Sequence, residues 1–283
     1  MQQGYKNIIS QPAFICSTFK LNIPGYMKSL CFLYLAVVIS ILPIKLFAQH
    51  TTNTSNGTNN NLLKINIPAL AFSNFSIQYE RKLSTKTSVA LALRYRPEGS
   101  IPFRSIIQDM VDDASIRLDL ARIGNWGITP EYRFYLGKNA LQGFYLAPFI
   151  SYNYYKGIVP VKYYDYSSSS SYGKTAPFNG SVNTFTAGLQ IGAQWKLSKR
   201  FALDWWIIGP NYGTSNGRFD FKAPLTDIEQ ISLQFELEKI QQTLPLFKIS
   251  IPAGTPNDNG AAFLVDGPWA GIRAMGLNLA YNF

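Results

Sequence analysis

A period of two governs this chain. From Asn183 to Leu197, the side chains of Phe185, Ala187, Leu189, Ile191, Ala193, Trp195 and Leu197 alternate with Thr184, Thr186, Gly188, Gln190, Gly192, Gln194 and Lys196. Successive strand side chains point to opposite faces, so the run predicts a strand with one apolar and one polar face. The pattern recurs over about 62–72, 74–83, 87–96, 125–136, 143–155, 200–209 and 270–283. Eight such segments predict an all-β antiparallel chain.

Composition decides which face is wet. Apolar residues make up 47% and charged residues only 15%, which is a poor surface for a protein in water. No stretch beyond residue 48 is apolar enough for a spanning helix. A membrane barrel reconciles the two, because its lipid-facing residues sit at alternate positions. Connections after the second, fourth and sixth segments are short; those at 98–123, 156–182 and 210–269 are long. That sorting is the pattern of a barrel with tight turns at one rim and long loops at the other. The expectation is an eight-stranded antiparallel transmembrane β-barrel over 62–283 with long, partly helical extracellular loops. Its last strand, ending on Phe283, would pair with its first.

The N-terminus reads as an export address. Lys28 precedes an apolar run over 30–44, and Ala48 is a cleavage point, so 27–48 is read as a signal peptide. Met27 is read as the true start, residues 1–26 as a non-native extension, and 49–61 as a flexible polar leader. Cys16 and Cys31 both precede the cut, which leaves no thiol chemistry in the mature chain. Removing Lys6, Lys20, Lys28 and Lys45 lowers the net charge from +10 to +6. No basic cluster interleaved with aromatics points to nucleic acid.

From 62 onward the chain resembles small outer-membrane β-barrels of the OmpA/OmpX type, and among them Bacteroidetes outer-membrane barrels. The residues that carry the likeness are Lys64 and Asn66, the Tyr79–Arg81 triplet, the 47–49 cleavage context and Phe283. The resemblance implies a Gram-negative outer-membrane location. It also implies contact with outer-membrane lipid and lipopolysaccharide, and an assembly-machinery signal at Leu279, Tyr281 and Phe283.

The polar faces carry both charge signs, at Lys64, Glu80, Lys82, Arg94, Arg96, Glu131, Arg133 and Asp204. Eight strands leave an interior that side chains can fill. Buried charges need partners, so these eight are expected to form a lumen network. The only histidine, His50, lies in the leader, so a Ser-His-acid arrangement is absent. Glu80 with Glu131 is the one carboxylate pair, and it is expected to serve the network. No metal or cofactor site is expected: 109–113 reads as a solvated helix face and Asn257–Gly260 as a turn. Tyr163, Tyr164, Tyr166 and Tyr172 flank a Ser-rich loop suited to surface contact. Helices are expected over 226–244, with Thr226 and Glu229 as a capping box, and over 105–120. Basic residues on the long-loop side, Arg104, Arg117, Arg122, Lys156, Lys162, Lys174, Arg218 and Lys222, could meet lipid phosphates. The functional expectation is a structural or surface-interaction barrel, with an unknown surface partner. The alternatives are a narrow or gated channel and a secreted lipocalin-like ligand binder.

Overall fold

The computed structural model describes residues 60–101, 116–165, 172–243 and 248–283. The expected extension, signal peptide and most of the leader lie outside them, as do Arg104, 109–113 and Tyr166. Alternation holds the backbone extended, and tight turns set the register. Leu83 and Ser84 donate to the Thr87 carbonyl in one turn, and Leu197 and Ser198 to the Phe201 carbonyl in another. The strands are β1 (Asn61–Asn66), β2 (Phe75–Lys82), β3 (Thr87–Ser100), β4 (Arg122–Tyr135), β5 (Gly143–Asp165), β6 (Tyr172–Lys196), β7 (Phe201–Lys222), β8 (Ile249–Ser250) and β9 (Gly260–Asn282). Each of β1 to β6 pairs antiparallel with the next, β7 pairs with β9, and β9 returns to β1 through Leu62↔Asn282 to Asn66↔Asn278. The ring therefore closes on eight strands, with β8 as a short flap on β9.

Three expectations need correction. The first segment is a strand only to Asn66, followed by a short helix, α1 (Ile67–Ala71). Pro68 lies in its first turn and Asn66 caps it by accepting from the Ala69 N–H at 3.0 Å. That local chemistry outweighs the alternation. Second, the connection expected at 156–182 is largely strand, and strand also takes up both ends of 210–269: β5 has 23 residues, β6 25, β7 22 and β9 23. Third, the described end of the helix expected over 105–120 is a bridge from Ile116 to Val161 followed by a turn. The helix expected over 226–244 is present as α2 (Asp227–Thr243). Its box is formed, with the Thr226 N–H donating to Glu229 at 2.9 Å and the Glu229 N–H to the Thr226 hydroxyl at 3.4 Å.

At the tight-turn end the barrel is inside out. Along β1, Lys64 is fully buried while Leu63 and Ile65 are exposed. The same holds around the ring: Gln78, Glu80, Glu131, Arg133, Gln190, Gln194, Asp204 and Asn278 point in, and Ile77, Leu91, Leu93, Phe134, Ile150, Leu189 and Leu279 point out.

Toward the other end the arrangement reverses. On β5 the odd residues stay inward as far as Val161 and Tyr163, while the outward residues, apolar at Phe144, Leu146 and Ile150, include Lys156 and Lys162 after Tyr154. On β6 the inward side chains are Val182, Phe178 and Ala176, opposite outward Asn183, Ser181 and Asn179. This upper wall of β5, β6, β7 and β9 packs a conventional apolar core that includes Phe219, Phe263, Val265, and Leu233, Leu237 and Ile240 of α2. A charged clamp fixes α2 to the β5–β6 hairpin: Lys174 Nζ lies 2.5 Å from Glu229 and 2.8 Å from Asp165.

Hydrogen bonds from Lys174, then from Thr226, hold the Glu229 carboxyl below the usual Glu range. A depressed carboxyl contributes its stability above the unfolded pKa and loses it as pH falls through the folded one. Amide-exchange protection of α2, relative to the barrel strands, is therefore expected to hold down to about pH 5 and to fall as the pH drops further. Glu229→Gln should flatten that step. An identical pH step in wild type and variant would refute the clamp.

Candidate functional site

The sequence feature that most demands a physical account is the charge inside the barrel. β1, β2, β4, β7 and β9 each send one or two ionic side chains to the same level. Lys64 Nζ meets Glu80 and lies 2.6 Å from Asp204. Arg133 Nη1 lies 2.9 Å from Asp204 and 3.2 Å from Glu80, and its Nη2 lies 2.9 Å from Glu131. Arg273 Nη1 completes Glu131 at 2.6 Å. Three cations thus face three carboxylates, and every carboxylate meets two cations.

Neutral groups take the remaining lone pairs. Tyr145 donates to Asp204 at 2.7 Å, and Tyr135 and Ser88 donate to Glu80, Tyr135 at 2.6 Å. Gln78 donates to Glu131 at 2.6 Å and accepts from Arg133 at 2.8 Å. Lys64 also donates to Gln194 at 2.7 Å, and the Gln194 amide donates to the Leu141 carbonyl at 3.0 Å, which ties the network to the turn below it. The Arg133 guanidinium sits 4.4 Å above the Tyr145 ring, and that of Arg273 3.7 Å above Trp206. A buried ion costs several kcal/mol to desolvate. Only near-complete pairing of this kind makes six in one layer tolerable. The layer can fill and seal the lower lumen; its carboxylates have their lone pairs engaged.

Of the eight lumen residues expected, five meet: Lys64, Glu80, Glu131, Arg133 and Asp204. The other three stand apart. Arg94 is higher on β3 and donates to Asn153 at 2.7 Å. Arg96 donates to the Ser100 carbonyl of its own strand at 2.5 Å. Lys82 is the last residue of β2, where the strand leaves the barrel for its turn. Distance along the strands separates them, since inward residues on one strand occupy successive levels about 7 Å apart.

Sequence reasoning missed Tyr135, Tyr145 and Arg273. Tyr135 and Tyr145 share the inward phase of Arg133 and Ala147, a readable clue. Arg273 is out of phase with Asn278 and Ala280, so alternation hides it. A bulge explains this: Ile191 pairs with Ile208 and Gly192 with Trp206, leaving Ile207 extra. Inward positions on β7 and on its partner β9 change parity there.

Among the tyrosines proposed for surface contact, Tyr163 is buried in the upper core and Tyr164 is half-buried on β5 with Lys162 over its ring at 4.9 Å. Tyr172 opens β6. The loop expectation fails for Tyr163 and Tyr164 because the hairpin strands continue through them. Leu279, Tyr281 and Phe283 are all exposed, on the outer side of the closing strand. Of the basic residues, Arg117 pairs with Asp119, Arg218 with Asp220, and Lys174 with Asp165 and Glu229.

Removing one partner strands the others. Glu80→Ala leaves Lys64 and Arg133 short of a counter-charge and is expected to cost about 3–5 kcal/mol. The check is the midpoint of reversible urea unfolding; an unchanged midpoint would overturn the network.

None of the curated proteins matches this chain. Among solved structures, it is similar to the N-terminal β-barrel domain of Pseudomonas aeruginosa OprF, at 12% identity and a TM-score of 0.23, over 81% of this chain and 100% of that one. That superposition is too loose to carry an argument. The family described as "Protein of unknown function (DUF3575)" matches residues 41–216, more than half of the sequence, and the chain belongs to it.

Proposed function

We propose that this protein is an outer-membrane β-barrel, exported through 27–48, with a sealed lumen and a structural or surface-interaction role in the cell envelope. The observation that carries this reading is the exchange of polarity along the strands. Around the lower ring the outside is hydrocarbon and the inside holds the ionic layer, with small apolar groups such as Leu62, Leu141 and Ala147 packed beside it; above it the outside is polar and the inside hydrocarbon. Lipid outside the lower ring and water outside the upper wall would select that exchange.

Two aromatic tiers support it. Tyr132, Phe134, Phe144, Phe201 and Tyr281 face out near the tight turns, and Phe75, Tyr95, Trp126, Phe185 and Tyr212 face out higher up. From Phe144 to Tyr154 is ten residues. At about 3.4 Å per residue and a tilt near 40°, that is roughly 25 Å of height, the thickness of the apolar band in such barrels. Aliphatic Ile77, Leu91, Leu93, Ile150 and Leu189 fill the interval.

The six-charge layer favours a sealed barrel over the channel reading. A charged lower lumen also disfavours a lipocalin-like interior over that half. Catalysis is not part of the proposal, since the carboxylates are engaged with cations and hydroxyls.

Two measurements test the membrane reading. Expressed from Met27, the protein should fractionate with the outer membrane and run faster on a gel unboiled than boiled. A periplasmic product with no shift would sink it, and nanosiemens steps in planar bilayers would reinstate the channel. Separately, Leu91→Arg should cost about 2–4 kcal/mol if the residue lies at the bilayer midplane. On a water-exposed sheet the same change at this exposed position would be near neutral, so an unaltered unfolding midpoint argues against lipid there.

A further inference from the structure

Among the described residues, the upper core leaves a space. Between the β4–β5 wall, α2 and β9 lies a cavity of about 350 Å³ whose lining includes Val159, Val161, Val182, Leu237, Ile240 and Trp269. It is far larger than the voids that close packing leaves, which rarely exceed a water molecule. Its surface is apolar, so water would find no partners inside and has little reason to occupy it. The ligand part that fits must be hydrocarbon, because a buried polar group would lack any hydrogen bond. At roughly 30 Å³ per water-sized group the volume takes about a dozen carbons. That is within the size of ordinary small-molecule sites.

The rim supplies a second constraint. Arg122 and Lys156 also belong to the lining, through the apolar part of each residue, and both are exposed, with Lys156 directed outward on β5. They lie on adjacent strands: Arg122 pairs with Ile158, two residues beyond Lys156. Among the described residues, Arg122 has an ion pair with Glu98 at 3.9 Å, and both side chains are partly exposed, so the pair is loose and screened. Lys156 follows Tyr154, which stacks obliquely on Trp126 in the upper aromatic tier with ring centroids 6.2 Å apart. Resting on the membrane placement proposed above, the two cations stand at the height of lipid headgroups.

We propose that the upper barrel binds one medium-length alkyl chain of an anionic amphiphile, with the chain in the cavity and the head at Arg122 and Lys156. A free carboxylic acid and the acyl chain of a membrane lipid share this chemistry.

The test uses the full mature chain, purified in detergent and first checked for the unboiled gel shift. Native mass spectrometry with added dodecanoate is expected to show one retained adduct per chain. Val159→Trp fills the cavity and should weaken retention at least tenfold with the gel shift intact. Lys156→Glu, an exposed change that leaves the core alone, should weaken dodecanoate severalfold and leave dodecanol unaffected. No adduct on folded wild type, or equal retention in wild type and both variants, overturns the site. Equal retention of dodecanoate and dodecanol by wild type overturns the anionic head. An adduct carried out of the membrane by untreated protein names the source by its mass, acid or lipid. A missing gel shift with a Val159-sensitive adduct would remove the membrane reading and keep the pocket.

Discussion

Closure of the ring is the constraint on which everything else depends. A strand edge left open would leave a row of backbone amides and carbonyls without partners. Here the seam is the six-residue β1, held between β2 and β9. It is the shortest strand of the ring, and it also carries Lys64, which reaches across to Glu80 and Asp204. The seam is therefore tied twice, once by its ladder and once through the lumen. That double tie explains why a segment so short, ended at once by the Asn66 cap, can close a barrel whose other strands run to 25 residues.

The ionic layer follows from closure. An eight-stranded ring encloses little more than its own side chains, and a chain whose inward and outward residues were both apolar at every level would be prone to aggregate as it folds. Six ions with equal numbers of each sign solve this only if none lacks a partner. Replacing such a set with hydrocarbon often leaves a protein as stable or more so. The layer is thus better understood as a device that fixes register and seals the lumen than as a source of net stability. Lys64, Glu80, Arg133 and Asp204 come from four different strands, and a slip of one residue in any of them would turn its charge outward.

The lower barrel was legible because its alternation is regular and its charges fall in one phase. The inward set Lys64, Glu80, Glu131, Arg133 and Asp204 follows from parity alone. Three kinds of feature were hidden. Local capping at Asn66 and Pro68 cut the first strand short, which a period-two reading cannot weigh. The extra residue at Ile207 shifted parity, and Arg273 went unseen. The upper halves of β5, β6, β7 and β9 were read as loops because polarity, not geometry, changes there. After Tyr154 the apolar residues move from even positions to odd ones, at Val159, Val161 and Tyr163, and a phase slip in hydrophobicity looks the same as the end of a strand.

That slip carries more information than the alternation itself. A bulge changes which side chains point inward; a change of solvent alters which side must be apolar while the pointing stays the same. On β5 the odd residues face inward throughout, from Tyr145 to Tyr163. What changes is the outward set, apolar at Phe144, Leu146 and Ile150 and charged at Lys156 and Lys162, while the pointing stays the same. On β6 the same boundary falls between outward Phe185 and Asn183, and Asn183 accepts from the Tyr152 hydroxyl of β5 at 2.6 Å. Neighbouring strands thus place the transition at one height. Above that height the four long strands need an apolar filling that the barrel wall alone does not provide, and α2 brings it through Leu233, Leu237 and Ile240. The helix is thus part of the upper core, and the space it leaves beside β4 and β5 is where a further hydrocarbon group fits.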